Sequence, residues 1–141
     1  MKTVFADTGY WIALLNPRDE LHERARQVSE SLGQTRIVTS EMVLVELLNY
    51  YADRGTAKRG AAATLARKLQ ESPNVVIVPQ TSIQYREGLD LYVARADKGW
   101  SHTDCCSFEI MREHRATEAL TYDKHFEQAG FVALLRDGDE K

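Results

Sequence analysis

The sequence of 141 residues has only two cysteines and three prolines, and it has no excess of basic residues. The cysteines, Cys105 and Cys106, are adjacent, and neighbouring residues rarely form a disulfide, so we expect reduced thiols. No Cys-x-x-Cys or Cys/His pattern with zinc-ligand spacing is present, which excludes a zinc-finger type of site. The prolines stand at joints, and no internal repeat or Pro/Ser-rich linker indicates a second domain.

The overall charge gives no indication of a nucleic-acid partner. Charged residues make up 28% of the chain and the formal net charge is -3, so any surface for RNA or DNA has to be local. One basic run on and before a predicted helix is a candidate for such a surface, and an ordinary solvated helix face is the alternative. Its members are Arg54, Lys58, Arg59, Arg67 and Lys68.

The N-terminus lacks the long apolar run of a signal peptide or membrane span. Only three apolar residues, 4–6, precede Asp7, and charge returns at Arg18, so we expect a cytoplasmic protein with no membrane anchor. With 43% hydrophobic residues, a chain of this length is expected to bury the core of one domain. We assign residues 1–135 to that domain and residues 136–141, "RDGDEK", to a disordered acidic tail.

Four short β-rich runs alternate with longer runs of helical periodicity. Alternation of this kind predicts an α/β fold, in which helices cover both faces of a parallel sheet. The predicted strands are 3–6, 36–39, 74–79 and 118–122. The predicted helices are 8–15, 19–32, 41–53, 56–71, 82–97, 103–115 and 124–129.

Two aspartates stand where a predicted strand passes into a predicted helix. Asp7 follows the first strand and Asp123 follows the last, and each is also well placed to cap the helix that it precedes. In an open parallel sheet, such positions lie at the carboxyl edge, where ligands bind. We therefore expect the two carboxylates near one another, with helix capping as the alternative role.

Glu46 is unusual because it lies in the middle of a predicted helix on an otherwise apolar side. Met42, Val43 and Tyr50 occupy the i-4, i-3 and i+4 positions of that side. A solvated glutamate is not expected on such a stripe. The alternative is an edge position, where the stem packs and the carboxylate reaches water.

Asp104 follows Ser101 at the spacing of a capping box, which is a sufficient structural reason for an acid at this position. Its i+4 and i+7 partners are Phe108 and Met111, so the carboxylate also points along an inward-facing side of the helix. Two helices are therefore expected to direct carboxylates towards the sheet.

Convergence of these four acids requires a positive charge at their centre. Two unshielded carboxylates about 4 Å apart repel by roughly 4 kcal/mol at an effective dielectric constant near 20. Hard oxygen donors favour Mg²⁺ or Mn²⁺, which are commonly held by a few carboxylates together with a substrate phosphate. Because such an ion lowers the pKa of a bound water and stabilises charge on phosphate, the pattern predicts a hydrolytic nuclease.

Four segments of the sequence resemble the PIN-domain ribonuclease family, and within it the VapC-type toxins of bacterial toxin-antitoxin pairs. They are "FADTGYWIALLNPRDELHERA", "TSEMVLVELLNYYADRG", "SHTDCCSFEIM" and "ALTYDKHFEQAGF", and together they extend from Phe5 to Phe131 in the order of the family. The resemblance implies a three-layer α/β/α fold with a parallel sheet of about five strands. The catalytic residues and ligands of Mg²⁺ or Mn²⁺ that it implies are Asp7, Glu46, Asp104 and Asp123.

The same resemblance implies an endoribonuclease that leaves a 5′-phosphate and a 3′-hydroxyl, forms a homodimer and is masked by an antitoxin protein. Thr8 and Ser101 are implied as hydroxyl neighbours of the site, and helix capping is their alternative role. One departure is local. Gly9, Tyr10 and Trp11 follow the "DT" pair, where the family usually has a small polar residue and an aliphatic one, so the substrate pocket is expected to differ.

Other residues have more ordinary interpretations. The cysteines open an apolar helix face and are expected in the core. Aromatic side chains at helical spacing could stack an unpaired base, but we expect core or interface packing for them. These aromatics are Tyr10, Trp11, Tyr50 and Tyr51. Surface or capping roles are expected for His22, His102, His114 and His125. Contact with substrate is the alternative for His102 and His125, which flank Asp104 and Asp123, and no histidine is needed as a metal ligand.

Three alternatives to a toxin nuclease remain open at the level of sequence. An aspartyl phosphotransfer enzyme also places an aspartate after a strand, but Asp7 lacks the DxD pattern and the paired acids of those sites. A catalytically silent PIN-like module would bind RNA or protein without cleaving it. A standalone RNA-processing nuclease would share the chemistry and have no antitoxin.

Overall fold

The computed structural model describes residues 1–137, which form a five-stranded parallel sheet with helices around it. The order of the strands across the sheet is β3-β2-β1-β4-β5, and every neighbouring pair is parallel. The strands are β1 (Lys2–Ala6), β2 (Thr35–Ser40), β3 (Val75–Val78), β4 (Glu118–Leu120) and β5 (Val132–Ala133). The predicted parallel α/β architecture is therefore confirmed.

Eight helices occur among the described residues. They are α1 (Thr8–Leu15), α2 (His22–Ser31), α3 (Glu41–Tyr50), α4 (Thr56–Glu71), α5 (Ser82–Ala94), α6 (His102–Glu113), α7 (Lys124–Gln128) and α8 (Leu134–Asp137). The predicted helices 8–15 and 56–71 coincide with α1 and α4. The helix predicted over 19–32 begins later, at His22, because the residues before it form a turn in which Asp19 accepts from the amide of Leu21 at 2.9 Å.

Two elements near the C-terminus have no counterpart among the predictions. Strand β5 is only two residues long and pairs with Glu118 and Ala119 of β4, so it is too short to show a periodic pattern. Helix α8 contains residues 136 and 137, which the sequence places in the tail. The rest of that predicted tail, residues 138–141, lies outside the described residues.

The core contains several of the side chains that the sequence marks. Cys105 and Cys106 are buried and unbridged, as predicted. Tyr10 and Trp11 are buried, and the Trp11 indole donates to the Thr39 hydroxyl at 3.4 Å, so neither ring is free to stack on a base. Tyr51 is also buried. Of the departure after the "DT" pair, Tyr10 and Trp11 therefore lie in the core, whereas Gly9 is exposed.

The path of the chain creates a crevice beside β1. From β1 the chain moves to β2 and β3, and it then crosses to β4 on the other side of β1. Right-handed crossovers consequently place α1–α4 on one face of the sheet and α5–α7 on the other. The carboxyl ends of β1 and β4 meet at this reversal of direction, which is where open α/β sheets bind ligands.

The helices are modest in length and mixed in polarity. Across residues 1–137, none of them combines the length and the apolar character that crossing a bilayer demands.

Candidate active site

A single buried hydroxyl joins the two strand-end aspartates. The Thr121 hydroxyl donates to Oδ2 of Asp7 at 3.1 Å and accepts from the backbone N–H of Asp123 at 3.1 Å. Thr121 is 1% exposed, so water does not compete for these bonds. Asp7 is also tied to β4 through its backbone, since its N–H donates to the carbonyl of Leu120 at 3.2 Å. The structure therefore brings the ends of β1 and β4 together, as the strand pattern predicts.

Asp104 serves the helix and the site at the same time. Its backbone N–H donates to the Ser101 hydroxyl at 3.0 Å, and its Oδ2 accepts from the Ser101 N–H at 3.1 Å, which completes the predicted capping box of α6. The same Oδ2 lies 3.0 Å from Nδ1 of His125 on α7. The capping role fixes the carboxylate at the start of α6, and the side chain remains 14% exposed towards the crevice.

His125 is the residue that sequence reasoning missed. Its Nδ1 lies 3.0 Å from Oδ2 of Asp104 and 3.4 Å from Oδ1 of Asp123. The Asp123 side chain caps α7 by accepting from the His125 N–H at 2.8 Å, which turns the imidazole towards both acids. The interpretation of His125 as a surface or capping residue was therefore incomplete. Its position two residues after a helix-capping acid is the signal in the sequence that could have found it.

Glu46 reaches the site from the surface and not from the interior. Met42 and Val43 are buried, but Glu46 and Tyr50 are exposed, so the predicted inward-facing position is wrong. Each step of four residues turns about 40° around a helix, and two such steps from Met42 carry the stripe out of the core. Glu46 Oε1 accepts from the Thr8 hydroxyl at 2.6 Å, and this bond places its carboxylate beside the start of α1.

The surroundings of Asp7 disfavour the ionised form of its carboxyl group. Burial, with smaller contributions from the charges of Asp104 and Glu46, raises the pKa of its carboxyl from 3.8 to about 7. The Thr8 backbone and the Thr121 hydroxyl act in the opposite direction by donating to the carboxylate. Asp7 is the N-cap residue of α1, but its side chain does not make the usual capping bond, so capping does not account for the acid.

The four acids are not neutralised by lysine or arginine in the described part of the chain, although His125 lies against Asp104 and Asp123. Within residues 1–137, none of Asp7, Glu46, Asp104 and Asp123 forms an ion pair with lysine or arginine. Asp104, Asp123 and His125 each offer one potential ligand atom within 4.8 Å of the others. The carboxylate oxygens, the raised pKa of Asp7 and the lack of a lysine or arginine partner among residues 1–137 together suit a divalent cation of the Mg²⁺ or Mn²⁺ type. The side chains present therefore fit such an ion.

The basic run mainly stabilises the end of α3. The Arg54 guanidinium donates to the carbonyl of Tyr50 at 2.6 Å and lies 4.0 Å from the centre of its ring. Arg59 donates to the carbonyl of Ala52, also at 2.6 Å. These bonds satisfy carbonyls that the helix leaves unpaired, although both arginine side chains remain exposed.

Comparison with known proteins identifies the family. Residues 4–132 match the family model of the PIN domain. The chain belongs to the PIN-domain family. This PIN domain is 33% identical over 135 residues to the protein named 23S rRNA-specific endonuclease VapC20 in two strains of Mycobacterium tuberculosis, and the match covers 93% of this chain and 97% of VapC20. The predicted resemblance to VapC proteins is confirmed.

Solved structures agree with this assignment. The crystal structure of Mycobacterium tuberculosis VapC20, described as a sarcin-ricin loop cleaving toxin, matches this PIN domain with a TM-score of 0.81 at 29% identity. That match covers 92% of this chain and 96% of the other. FitAcB from Neisseria gonorrhoeae matches with a TM-score of 0.61 at 21% identity over 92% of this chain and 94% of the other, which supports the fold alone.

Proposed function

We propose that this PIN domain is a metal-dependent endoribonuclease that hydrolyses RNA phosphodiester bonds and acts as the toxin of a toxin-antitoxin pair. The observation that carries the proposal is the set of four acids at the crevice beside β1, none of them paired with lysine or arginine among residues 1–137 and two of them joined by Thr121. The identity of 33% to a 23S rRNA-specific endonuclease supports the choice of RNA as substrate.

The proposed ligands of one or two Mg²⁺ or Mn²⁺ ions, and the proposed catalytic residues, are Asp7, Glu46, Asp104 and Asp123. When bound, the ion lowers the pKa of a bound water and offsets the charge of the phosphodiester. The chain itself holds the carboxylate oxygens in place. Thr121 fixes Asp7, the capping box fixes Asp104, and Thr8 fixes Glu46.

The proposed reaction requires no nucleophile from the protein. The oxygen of water forms a bond to phosphorus, the bond from phosphorus to the 3′-oxygen breaks, and that oxygen leaves as a 3′-hydroxyl after taking up a proton. The other fragment keeps the 5′-phosphate. Cys105 and Cys106 are not candidates for a protein nucleophile, because both are buried. Burial also raises the pKa of both thiols and keeps them protonated.

The sarcin-ricin loop of 23S rRNA is the first substrate to test. VapC20 is described as a toxin that cleaves this loop, and the match to its crystal structure extends over 92% of the present chain. Purified protein would be incubated with 23S rRNA, tRNA and mRNA in Mg²⁺ or Mn²⁺ and in chelator. The active-site variant would be Asp7→Asn, and Asp53→Asn on the exposed turn after α3 is a matched control.

Discrete cleavage that requires both a divalent ion and Asp7 is the expected result, with Asp53→Asn as active as the parent protein. Cleavage that persists in chelator or in Asp7→Asn would contradict the proposed metal-dependent mechanism. Binding of RNA without cleavage, in protein that has taken up the metal, would favour the catalytically silent module instead.

We also propose a homodimer and an antitoxin partner. Helix α5 exposes several large apolar side chains, which supports a second copy of the chain as its neighbour. They are Ile83, Tyr85, Leu89, Tyr92 and Val93. Light scattering would measure the mass in solution. A dimer that dissociates in Val93→Asp but not in Val45→Asp is expected, since Val45 is another exposed valine, on α3, with an exposure of 50% against 68% for Val93.

A further inference from the structure

We propose that His125 is a direct ligand of the metal ion through Nδ1, together with Asp104 and Asp123, and that this nitrogen makes the site prefer Mn²⁺ to Mg²⁺. The inference rests on the proposed metal-dependent function and adds a residue and an ion preference to it. It follows from the positions of three atoms and from the donor preferences of the two ions.

The separations between these atoms match those of neighbouring ligands on one ion. Two ligands at right angles on an octahedral ion, with bonds of about 2.1 Å, lie about 3.0 Å apart. Nδ1 of His125 lies 3.0 Å from Oδ2 of Asp104 and 3.4 Å from Oδ1 of Asp123. Relative to Nδ1, both carboxylate oxygens therefore lie at about the separation of neighbouring ligands, and the three side chains offer ligand atoms that all lie within 4.8 Å of one another.

The local structure holds the imidazole in this position. The Asp123 carboxylate accepts from the backbone N–H of His125 at 2.8 Å, so the acid and the ring belong to the same first turn of α7. Asp104 is fixed separately by the capping box of α6. Each ligand is thus positioned by a helix terminus, and ordering these side chains on metal binding costs little conformational entropy.

An imidazole ligand changes which ion is favoured. Mg²⁺ requires near-ideal octahedral coordination and prefers oxygen ligands, whereas affinity for nitrogen donors rises along the first-row transition metals. A site built only from the four acids would accept either ion. Addition of His125 favours Mn²⁺.

The test uses pulsed electron paramagnetic resonance on the full chain loaded with Mn²⁺. A ¹⁴N coupling from a directly bound nitrogen is expected in the parent protein and in His114→Ala, where the replaced histidine is the C-cap residue of α6. The coupling is expected to disappear in His125→Ala. Labelling the histidines with ¹⁵N should replace the ¹⁴N signal in the unmutated protein, so the assignment of the signal to a histidine does not depend on whether the variant folds.

Calorimetry gives the second measurement. Loss of the ligand in His125→Ala should weaken Mn²⁺ binding by at least about tenfold and Mg²⁺ binding by less than about threefold. Bound Mn²⁺ without a nitrogen coupling would overturn the inference and leave the metal-dependent function intact. Failure to bind Mn²⁺ at all would overturn both, so the two failures are distinguishable.

Discussion

Thr121 and Asp7 are 114 residues apart in the chain, yet the Thr121 hydroxyl donates to Oδ2 of Asp7 at 3.1 Å. Because that hydroxyl also accepts from the Asp123 N–H, its own hydrogen is directed to Asp7. One side chain therefore sets the distance between the two aspartates at the crevice. The sequence contains no local signal for this role.

Replacement of Thr121 by valine should destabilise the protein and weaken metal binding together. Valine has nearly the same shape but leaves the Asp123 amide and the Asp7 carboxylate without their buried partner. We expect a loss of about 1 to 3 kcal/mol in the free energy of unfolding, measured with urea, and weaker Mn²⁺ binding by calorimetry. Thr121→Ser keeps the hydroxyl and should remain close to the parent protein. Equal behaviour of the two variants would contradict the role assigned to the hydroxyl.

The stability of the metal-free protein should depend on the ionisation of Asp7. Its pKa is about 7 in the folded protein and 3.8 ordinarily, so between these values the folded state retains a proton that the unfolded state releases. The stability from this proton is fully present below pH 3.8 and is lost as the pH rises through 7. Asp7→Asn does not titrate.

The measurement is urea unfolding in chelator across this range of pH, for the parent protein and for Asp7→Asn. Relative to the parent, the variant should become more stable as the pH rises, by on the order of a few kcal/mol. A difference between the two proteins that stays constant with pH would show that Asp7 titrates normally.

Divalent cations should raise the melting temperature. Ligands that bind only the folded state stabilise it, by about 2.7 kcal/mol at 100 times the dissociation constant. Glu46→Gln should reduce the shift caused by Mn²⁺, because Glu46 is an exposed side chain held at the site by Thr8. Glu71→Gln, at the exposed end of α4, serves as the matched control. If both variants respond to Mn²⁺ as the parent does, Glu46 is not a ligand.

The contact between α5 and α6 should not tolerate a side chain at Gly88. A Cβ atom there would lie 2.3 Å from Sγ of Cys106 and 3.2 Å from its backbone nitrogen, so Gly88→Ala must push apart the two helices. We expect a loss of about 1 to 3 kcal/mol in the free energy of unfolding. Gly60→Ala, on the exposed side of α4 with nothing within 4 Å, should instead gain about 1 kcal/mol. If both variants lose stability, the loss in Gly88→Ala comes from replacing a glycine and not from the contact with α6.

Helix α1 and strand β1 show what could be predicted from local pattern, and α8 shows where it fails. Residues 8–15 have a helical run directly after a short apolar strand, and the structure has Thr8–Leu15 in α1. The four residues of α8 and the two of β5 complete only about one period of a helix or strand pattern, which is too little to show a repeat, so only pairing with β4 and packing define them.

Glu46 and His125 show the same division within the candidate site. Sequence pattern selected Glu46 because an acid on an apolar stripe is anomalous, but it misjudged the side chain, which is exposed and held by Thr8. His125 stands in no anomalous pattern. Its importance arises from a bond to Asp104, which lies 21 residues earlier on a different helix.

The sequence by itself determined the kinds of elements and the chemistry available to the protein. Apolar periodicity specified strands and helices, and Asp7 and Asp123 had to lie at the carboxyl edge once the sheet was parallel. Only the tertiary structure decided which oxygen and nitrogen atoms meet, because that depends on the pairing of β4 with β1 and on side-chain bonds across long separations in the chain. Local periodicity contains no information about such contacts, so the role of Thr121 and the contact of His125 with Asp104 became visible only in the fold.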